Sequence, residues 1–207
     1  MSLNLLDPIV QKSIKLLEDD TEIKSIQKAL ILMVADGKKP ATWQVVYSEK
    51  WAQGTLATPI TDEKWEYFMS MLHGLQLQVS INTRQDDKTF VQPKNGNHLF
   101  VELGDLFIAR DIDTSKELAG AVKNHDDAKL GELFGFPKSA VEAYLSNNLI
   151  PFNDIPEQTR LVSAKEMKFL NHMLSTDAWT NEVTYLPEFA KRVQEISPSI
   201  YRDCINR

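Results

Sequence analysis

Strict alternation of apolar and polar side chains between positions 75 and 82 is the feature that most constrains the fold. Leu75, Leu77, Val79 and Ile81 alternate with four polar residues. Successive side chains of a β-strand point to opposite faces, so this pattern predicts a strand with one buried and one solvated face. Such a strand is typical of an antiparallel sheet and not of the parallel sheet of an α/β protein, which is covered on both faces.

The next segments predict how this strand pairs. Thr89–Gln92 and His98–Leu103 flank the dipeptide Asn95-Gly96, which favours the positive φ angles of a tight turn and so predicts a β-hairpin. Asp105–Arg110 predicts a continuation of the sheet, and alternation within Thr42–Tyr47 predicts an earlier strand. We therefore expect an α+β fold, in which an antiparallel β-meander packs against several helices.

Helical periodicity and capping residues predict three helices around the first strands. Asp7 before Pro8 is a favourable start for the first helix, and the second is predicted to be capped by Thr21. The third is predicted to follow a cap at Thr61 and to close at Gly74.

The C-terminal half is predicted to be helical. The expected helices span 114–123, 127–134, 138–146, 164–174, 187–196 and 198–205. A stretch with two prolines, 147–158, is the predicted loop and the candidate sub-boundary inside one domain, 1–207. A domain of this length can bury a sufficient core without disulfides or metals.

Charge and cysteine content limit the cellular compartment and the binding partners that we expect for this chain. The formal net charge is −6, and Cys204 is the single cysteine. An intrachain disulfide is therefore impossible, and the acidic balance disfavours nucleic acid, whose binding depends on clustered Lys and Arg. No segment approaches the ~20 apolar residues of a membrane span, and the start of the chain lacks the pattern of a signal peptide. We expect a cytoplasmic protein that binds neither membranes nor nucleic acid.

Leu130–Tyr144, with the sequence LGELFGFPKSAVEAY, predicts two helices joined by a tight corner. Gly135 suits the left-handed conformation that ends a helix, and Pro137 suits the start of the next one. The apolar side chains expected to face one another across the corner are Leu130, Leu133, Val141, Tyr144 and Leu145.

This segment resembles one found in poorly characterised prokaryotic proteins, and Ile196–Tyr201 resembles another. Those proteins often carry cysteines just after the proline, where this chain has Ser139 and Ala140, so thiol or metal chemistry does not carry over. The resemblance suggests a prokaryotic or phage origin and implies no activity. A DNA-reading helix-turn-helix is the alternative for the corner, although its second helix offers only Lys138 as a basic side chain, with Glu142 opposing it.

The densest polar cluster follows the strand predicted to end at Arg110. It comprises Arg110, Asp111, Asp113, Asn124, His125, Asp126 and Asp127. Carboxylates and a histidine at strand ends and helix starts can bind a divalent cation or act as acid and base. The structural alternative is that Asp113 or Thr114 caps one helix and that Asp126 and Asp127 occupy the first turn of the next.

Trp51 and Trp179 lie in segments of weak periodicity and are candidate exposed anchors for a partner, with Arg110 as a further binding candidate. The chain has no nucleotide-binding loop, dinucleotide fingerprint or serine-hydrolase motif, so we expect no cofactor and no metal.

Two hypotheses about function follow. The first is a non-catalytic binding or scaffold protein, with a protein partner or a second copy of the chain. The alternative is a small metal-dependent or acid/base hydrolase that uses Asp111, Asp113, His125 and Asp127. A pocket joining these four side chains would favour the enzyme, and their dispersal to helix caps would favour the binding protein.

Overall fold

The computed structural model describes residues 2–21, 23–51, 62–91, 99–151, 154 and 161–206, with side chains described outside 44–65 and 81–105. The first half of the chain contains α1 (Pro8–Asp19), α2 (Ser25–Ala35), β1 (Ala41–Trp51), α3 (Asp62–Gly74), β2 (Gln78–Val91) and β3 (Leu99–Ala109). The second half contains α4 (Ile112–Lys123), α5 (Asp127–Leu133), α6 (Lys138–Leu145), β4 (Leu149–Ile150), α7 (Ala164–Met167), β5 (Leu174–Ser175), α8 (Trp179–Glu182), α9 (Leu186–Ile196) and α10 (Pro198–Ile205). The α+β class is confirmed, with helices predominating. Among these helices none combines the length and apolarity needed to cross a bilayer.

The larger sheet has the order β1-β3-β2, and both pairs are antiparallel. β2 and β3 form the expected hairpin, with Val91 opposite Leu99, while the predicted turn at Asn95-Gly96 lies outside the described residues. In a meander each strand pairs with the next one in sequence. Here β2 and β3 pair in this way, but β1 pairs with β3 instead of β2. A shift of register between Arg84 and Thr89 marks an irregularity in β2.

The end of β3 separates two hydrophobic clusters. Leu106 and Ile108 belong to the main core, to which α1, α2, α3, α9 and α10 contribute, whereas Phe107 and Ala109 belong to a second cluster with α4 and α5. All four side chains are fully buried. Because alternate residues of a strand face opposite ways, this continuous apolar run is what a central strand covered on both faces requires.

Several helices end in a Schellman motif with a left-handed residue. α3 ends at Gly74, as predicted, but the left-handed residue of its Schellman motif is Gln76. Gln76 adopts φ 60°, with its N–H bonded to His73 O at 2.8 Å and the Leu77 N–H bonded to Leu72 O at 3.0 Å. Gly74 is also a contact residue, because a Cβ added there would lie 2.0 Å from Ser13 Oγ on α1.

The start of α2 differs from the prediction, and the predicted cap of α3 lies outside the described residues. Lys24 is the N-cap of α2, without a capping side chain, so the prediction that Thr21 caps this helix is wrong. Asp20 holds the preceding turn, because its Oδ1 accepts a hydrogen bond from Ile23 N at 2.9 Å. The predicted cap of α3, Thr61, lies outside the described residues.

The predicted helix 164–174 is much shorter in the structure. Ser163 and Glu166 form a capping box at its start, but α7 ends at Met167. Leu174 instead pairs with Ile150 in the two-stranded sheet of β4 and β5, and β4 lies within the stretch predicted to be a loop. Local periodicity could not anticipate this pairing, because the partner strands are more than 20 residues apart in sequence.

Candidate functional site

The first two acidic residues of the predicted cluster serve the start of α4. Asp111 is its N-cap, accepting hydrogen bonds from Thr114 N at 2.7 Å and Thr114 Oγ1 at 2.8 Å. These hydrogen bonds, that of the Thr114 backbone first, lower the pKa of Asp111. Asp113 lies in the first turn and is exposed. The helix thus begins at Ile112, two residues earlier than predicted, and the cap is Asp111 instead of Asp113 or Thr114.

The remaining candidates lie at the other end of α4. His125 is exposed and adopts the left-handed conformation, φ 53°, that ends the helix. Asp126 caps α5 through Lys129 N at 3.0 Å, and Asp127 occupies the first turn. The 12 residues of α4 span roughly 18 Å, so Asp111 and His125 cannot share one metal ion or one substrate atom.

The described part of the chain contains no group of three or more His, Cys, Asp or Glu side chains that could hold a metal ion. Arg110, directly after β3, is half-buried. Trp179 is half-buried against the main core, which corrects its interpretation as an exposed anchor. The side chain of Trp51, at the end of β1, lies outside the described residues.

A pocket of about 290 Å³ lies at the helix-corner-helix motif instead. Its walls come from α5, α6, the corner between them and the segment before β5. The lining residues are Asp127, Leu130, Gly131, Phe134, Phe136, Ala140, Val141, Tyr144, Asn171, His172 and Met173. Most of these side chains are apolar or aromatic, as in typical small-molecule sites.

Two glycines shape this pocket. Gly131 brings α5 against α6, since an added Cβ would lie 2.4 Å from Val141 Cγ2. Gly135 has φ +67°, and the Schellman bond from Phe136 N to Gly131 O, 3.0 Å, ends α5. The helix-corner-helix prediction is therefore confirmed. Of the five apolar residues expected to face one another, Leu130, Val141 and Tyr144 line the same pocket, whereas Leu145 does not line it and is 56% exposed.

His172 is the most unusual group at the pocket. Its ring packs between Phe136 and Tyr185, with centroid distances of 5.3 and 6.0 Å. Burial lowers the pKa of His172 to about 4, so the imidazole is neutral at pH 7. This half-buried, neutral histidine therefore contributes an uncharged aromatic surface to the pocket.

Polar side chains lie at one side of the His172 ring. Tyr185 Oη donates a hydrogen bond to Asn171 Oδ1 at 3.2 Å and lies 3.4 Å from His172 Nδ1. Nε2 is shielded from solvent and has no hydrogen-bond partner among the described residues.

Behind the aromatic wall lie two buried charges of opposite sign. Lys39 is 8% exposed, donates to Phe134 O and lies 5.2 Å from the centre of the Phe136 ring. Burial lowers the pKa of Lys39 to about 8. Glu182, 1% exposed, supplies the negative charge.

Glu182 joins α6 to the end of the small sheet. Its carboxylate accepts hydrogen bonds from Ser139 Oγ at 2.5 Å, Ser175 Oγ at 2.7 Å and Ser175 N at 2.8 Å. Both serine hydroxyls donate to a carboxylate and neither contacts a histidine base, so the arrangement is not that of an activated nucleophile. Its role is to position α6, one wall of the pocket.

In comparisons with known proteins, no family model, no curated protein and no solved structure matches the chain. The resemblance of the corner segment to prokaryotic proteins therefore stays a prediction, and the site is interpreted from its geometry alone.

Sequence reasoning placed one pocket residue, Asp127, among its candidates and missed the others. The motif around Gly135 already pointed to the corner, and its unusual density of aromatic residues was the available signal for Phe134 and Phe136. Nothing in the local sequence indicated that Asn171–Met173 would complete the pocket, because this segment comes from a distant part of the chain.

Proposed function

We propose that the protein is a non-catalytic binding protein whose α5–α6 pocket accepts a small, mostly apolar molecule. The pocket itself is the observation that carries this proposal: about 290 Å³, with predominantly apolar and aromatic walls. Its volume lies just below the roughly 300–1,000 Å³ that is typical of ligand pockets. All of its lining residues lie in the second half of the chain, between Asp127 and Met173.

Exposure at the rim supports the same conclusion. Tyr144 and Met173 are 52% and 55% exposed although both line the pocket. Exposure of a large apolar side chain to water is unfavourable by about 25 cal/mol per Å² of apolar surface. An occupant that covers them recovers this energy, and rigid aromatic residues contribute strongly to binding.

The hydrolase alternative lacks a comparable observation. Asp111 and Asp113 lie at one end of α4 and His125 and Asp127 at the other. Each of these positions has a capping or helix-terminal role that accounts for its residue type. The proposed binding role requires neither a metal nor a cofactor.

The proposed location is the cytoplasm, which the buried single thiol of Cys204 supports because structural disulfides are characteristic of oxidising compartments. A protein partner or a second copy of the chain is the other expected occupant. It would have to insert an apolar side chain into the same pocket.

The test is a fragment screen by thermal unfolding, followed by ¹H–¹⁵N spectra of the hits. A fragment at ten times its Kd adds about 1.4 kcal/mol, which raises Tm by about 3–6 °C for a chain of this size. The expected shift changes in the spectra map to positions 130–144 and 171–173.

Two exposed rim residues allow substitutions that should leave the core intact. Tyr144→Ser removes an aromatic wall and Met173→Asp places a charge at the pocket, so both should weaken fragment binding at least fivefold. Leu145→Ser is the matched control, because Leu145 is equally exposed on α6 but does not line the pocket. Binding that all three variants leave unchanged, or a screen without any hit, would refute the proposed function.

A further inference from the structure

The charges around the pocket are unevenly distributed, and their sign indicates which ligands the pocket accepts. Asp127 is the lining residue that carries a formal charge at pH 7, since His172 is neutral. Lys39 and Glu182, which lie behind the aromatic side chains, carry opposite charges, so their electrostatic effects on the pocket oppose each other. The mouth of the pocket is therefore negative.

Nearby lysines do not neutralise Asp127. Lys129 Nζ lies 3.2 Å from Glu132 and 3.5 Å from Glu117, and Lys138 Nζ lies 3.4 Å from Glu142. Within the described part of the chain, no cationic side chain lies within ion-pair distance of the Asp127 carboxylate. Asp126, the neighbouring residue, adds a second negative charge at the same end of α5.

The aromatic and thioether side chains of the lining favour a different chemistry from the charged Asp127. Phe134, Phe136 and Tyr144 present aromatic surfaces, and Met173 adds a polarisable thioether. Aromatic rings favour offset or edge-on aromatic partners, thioethers favour ring contacts, and ring faces also attract cations. An apolar aromatic ring inside and a cationic group at the mouth match both regions.

We propose that this pocket selects a small aromatic amine, with its ring among Phe134, Phe136 and Tyr144 and its ammonium group beside Asp127. The inference rests on the proposed binding function and adds the class of ligand. Because Asp127 is exposed, its contribution is that of a surface ion pair and is screened by salt.

Three probes of matched size test the charge preference: 2-phenylethylamine, 2-phenylethanol and 3-phenylpropionate, titrated by NMR at pH 7 in low salt. The amine is expected to bind about three- to tenfold more tightly than the alcohol, and the carboxylate more weakly than either. Raising the salt concentration should reduce the preference for the amine, since the Debye length falls to about 3 Å at 1 M.

Asp127→Asn should bring the affinities for amine and alcohol to within twofold of each other. The alcohol's unchanged affinity shows that the variant pocket is intact. Asp113→Asn is the matched control, because Asp113 is an exposed acid in the first turn of α4 that does not line the pocket. It should keep the preference for the amine.

The two proposals fail in different ways. Equal affinity for all three probes, abolished by Tyr144→Ser, would overturn the charge preference and leave the binding function standing. Tightest binding of the carboxylate, or a preference for the amine that Asp127→Asn does not change, would also overturn it. Absence of binding by every probe and every fragment of the screen would refute the binding function itself.

Discussion

Arg192 binds Asp36 through two parallel hydrogen bonds across 156 positions of sequence: Nε donates to Oδ2 at 2.8 Å and Nη2 donates to Oδ1 at 2.7 Å. The Asp36 side chain is fully buried, and Oδ1 also accepts a hydrogen bond from Leu3 N at 2.9 Å. Burial opposes ionisation, but the hydrogen bonds from Arg192 and Leu3 keep the pKa of Asp36 below its usual value. The pair joins the N-terminal segment, the end of α2 and α9.

Removing the guanidinium should leave a buried, unpaired carboxylate. Arg192→Met is therefore expected to lower the free energy of unfolding by about 3 kcal/mol, as measured by urea denaturation. Lys15→Met is the control, because it breaks the exposed ion pair with Asp19, 2.8 Å long, and should cost less than about 1 kcal/mol. Equal costs for the two variants would show that burial does not strengthen the Arg192–Asp36 pair.

Two glycines in helices should respond oppositely to alanine. Gly74→Ala directs a methyl group to within 2.0 Å of Ser13 Oγ, so we expect a loss of about 1–3 kcal/mol from overpacking between α1 and α3. Gly120→Ala meets nothing within 4 Å and should gain about 0.5–1 kcal/mol from lower backbone entropy of the unfolded chain. Thermal unfolding of both variants checks the prediction, which a stabilised Gly74→Ala protein would contradict.

Left-handed residues at helix ends define a third prediction. Gln76 has φ 60°, a conformation that costs a residue with a Cβ about 1–2 kcal/mol. Gln76→Gly should therefore raise the free energy of unfolding by about 0.5–1 kcal/mol, after the larger entropy of unfolded glycine is subtracted. Gly135→Ala should do the reverse, because its Cβ would also lie 2.9 Å from Pro40 Cδ. A destabilised Gln76→Gly variant would contradict the assignment of this cap.

His172 predicts a pH dependence of stability. Its pKa in the folded protein, about 4, lies below the ordinary value of 6.5, so the unfolded chain binds the proton more readily. The stabilisation is fully present above pH 6.5 and is lost as the pH falls toward 4, by at most about 3 kcal/mol.

The measurement is the urea midpoint between pH 4 and 7, compared with that of His172→Phe. Phenylalanine preserves a ring between Phe136 and Tyr185 and cannot titrate. The variant should lose most of the decline in stability with acid across this range. A decline of the same size in both proteins would assign it to other groups.

Predictions from sequence succeeded where neighbouring residues supply both sides of an interaction. Asp7 and Pro8 begin α1, the helix predicted over 198–205 begins at Pro198 as α10, and Gly135 ends α5, each through contacts within a few residues. The alternation in 75–82 correctly indicated an antiparallel strand, but β2 begins at Gln78, because residues 75–77 form the turn that ends α3.

The incorrect predictions concern positions where two neighbouring residues could each begin or end the same helix. Both Asp111 and Asp113 have the chemistry of an N-cap, and the fold uses Asp111 because β3 ends just before it. Gly74 ends α3, but the left-handed residue that follows is Gln76, and Gly74 lies where an added Cβ would meet Ser13 of α1. Propensity ranks such residues, whereas packing selects among them.

The sequence by itself determined the α+β class, the starts of α1 and α10 and the tight corner, because these depend on periodicity and on hydrogen bonds between near neighbours. Only the tertiary structure decided that β1 pairs with β3, that Arg192 reaches Asp36, and that His172 and Met173 complete a pocket beside α5 and α6. These contacts join segments far apart in the chain. Their free energy depends on burial and mutual geometry, which exist only once the whole core has packed.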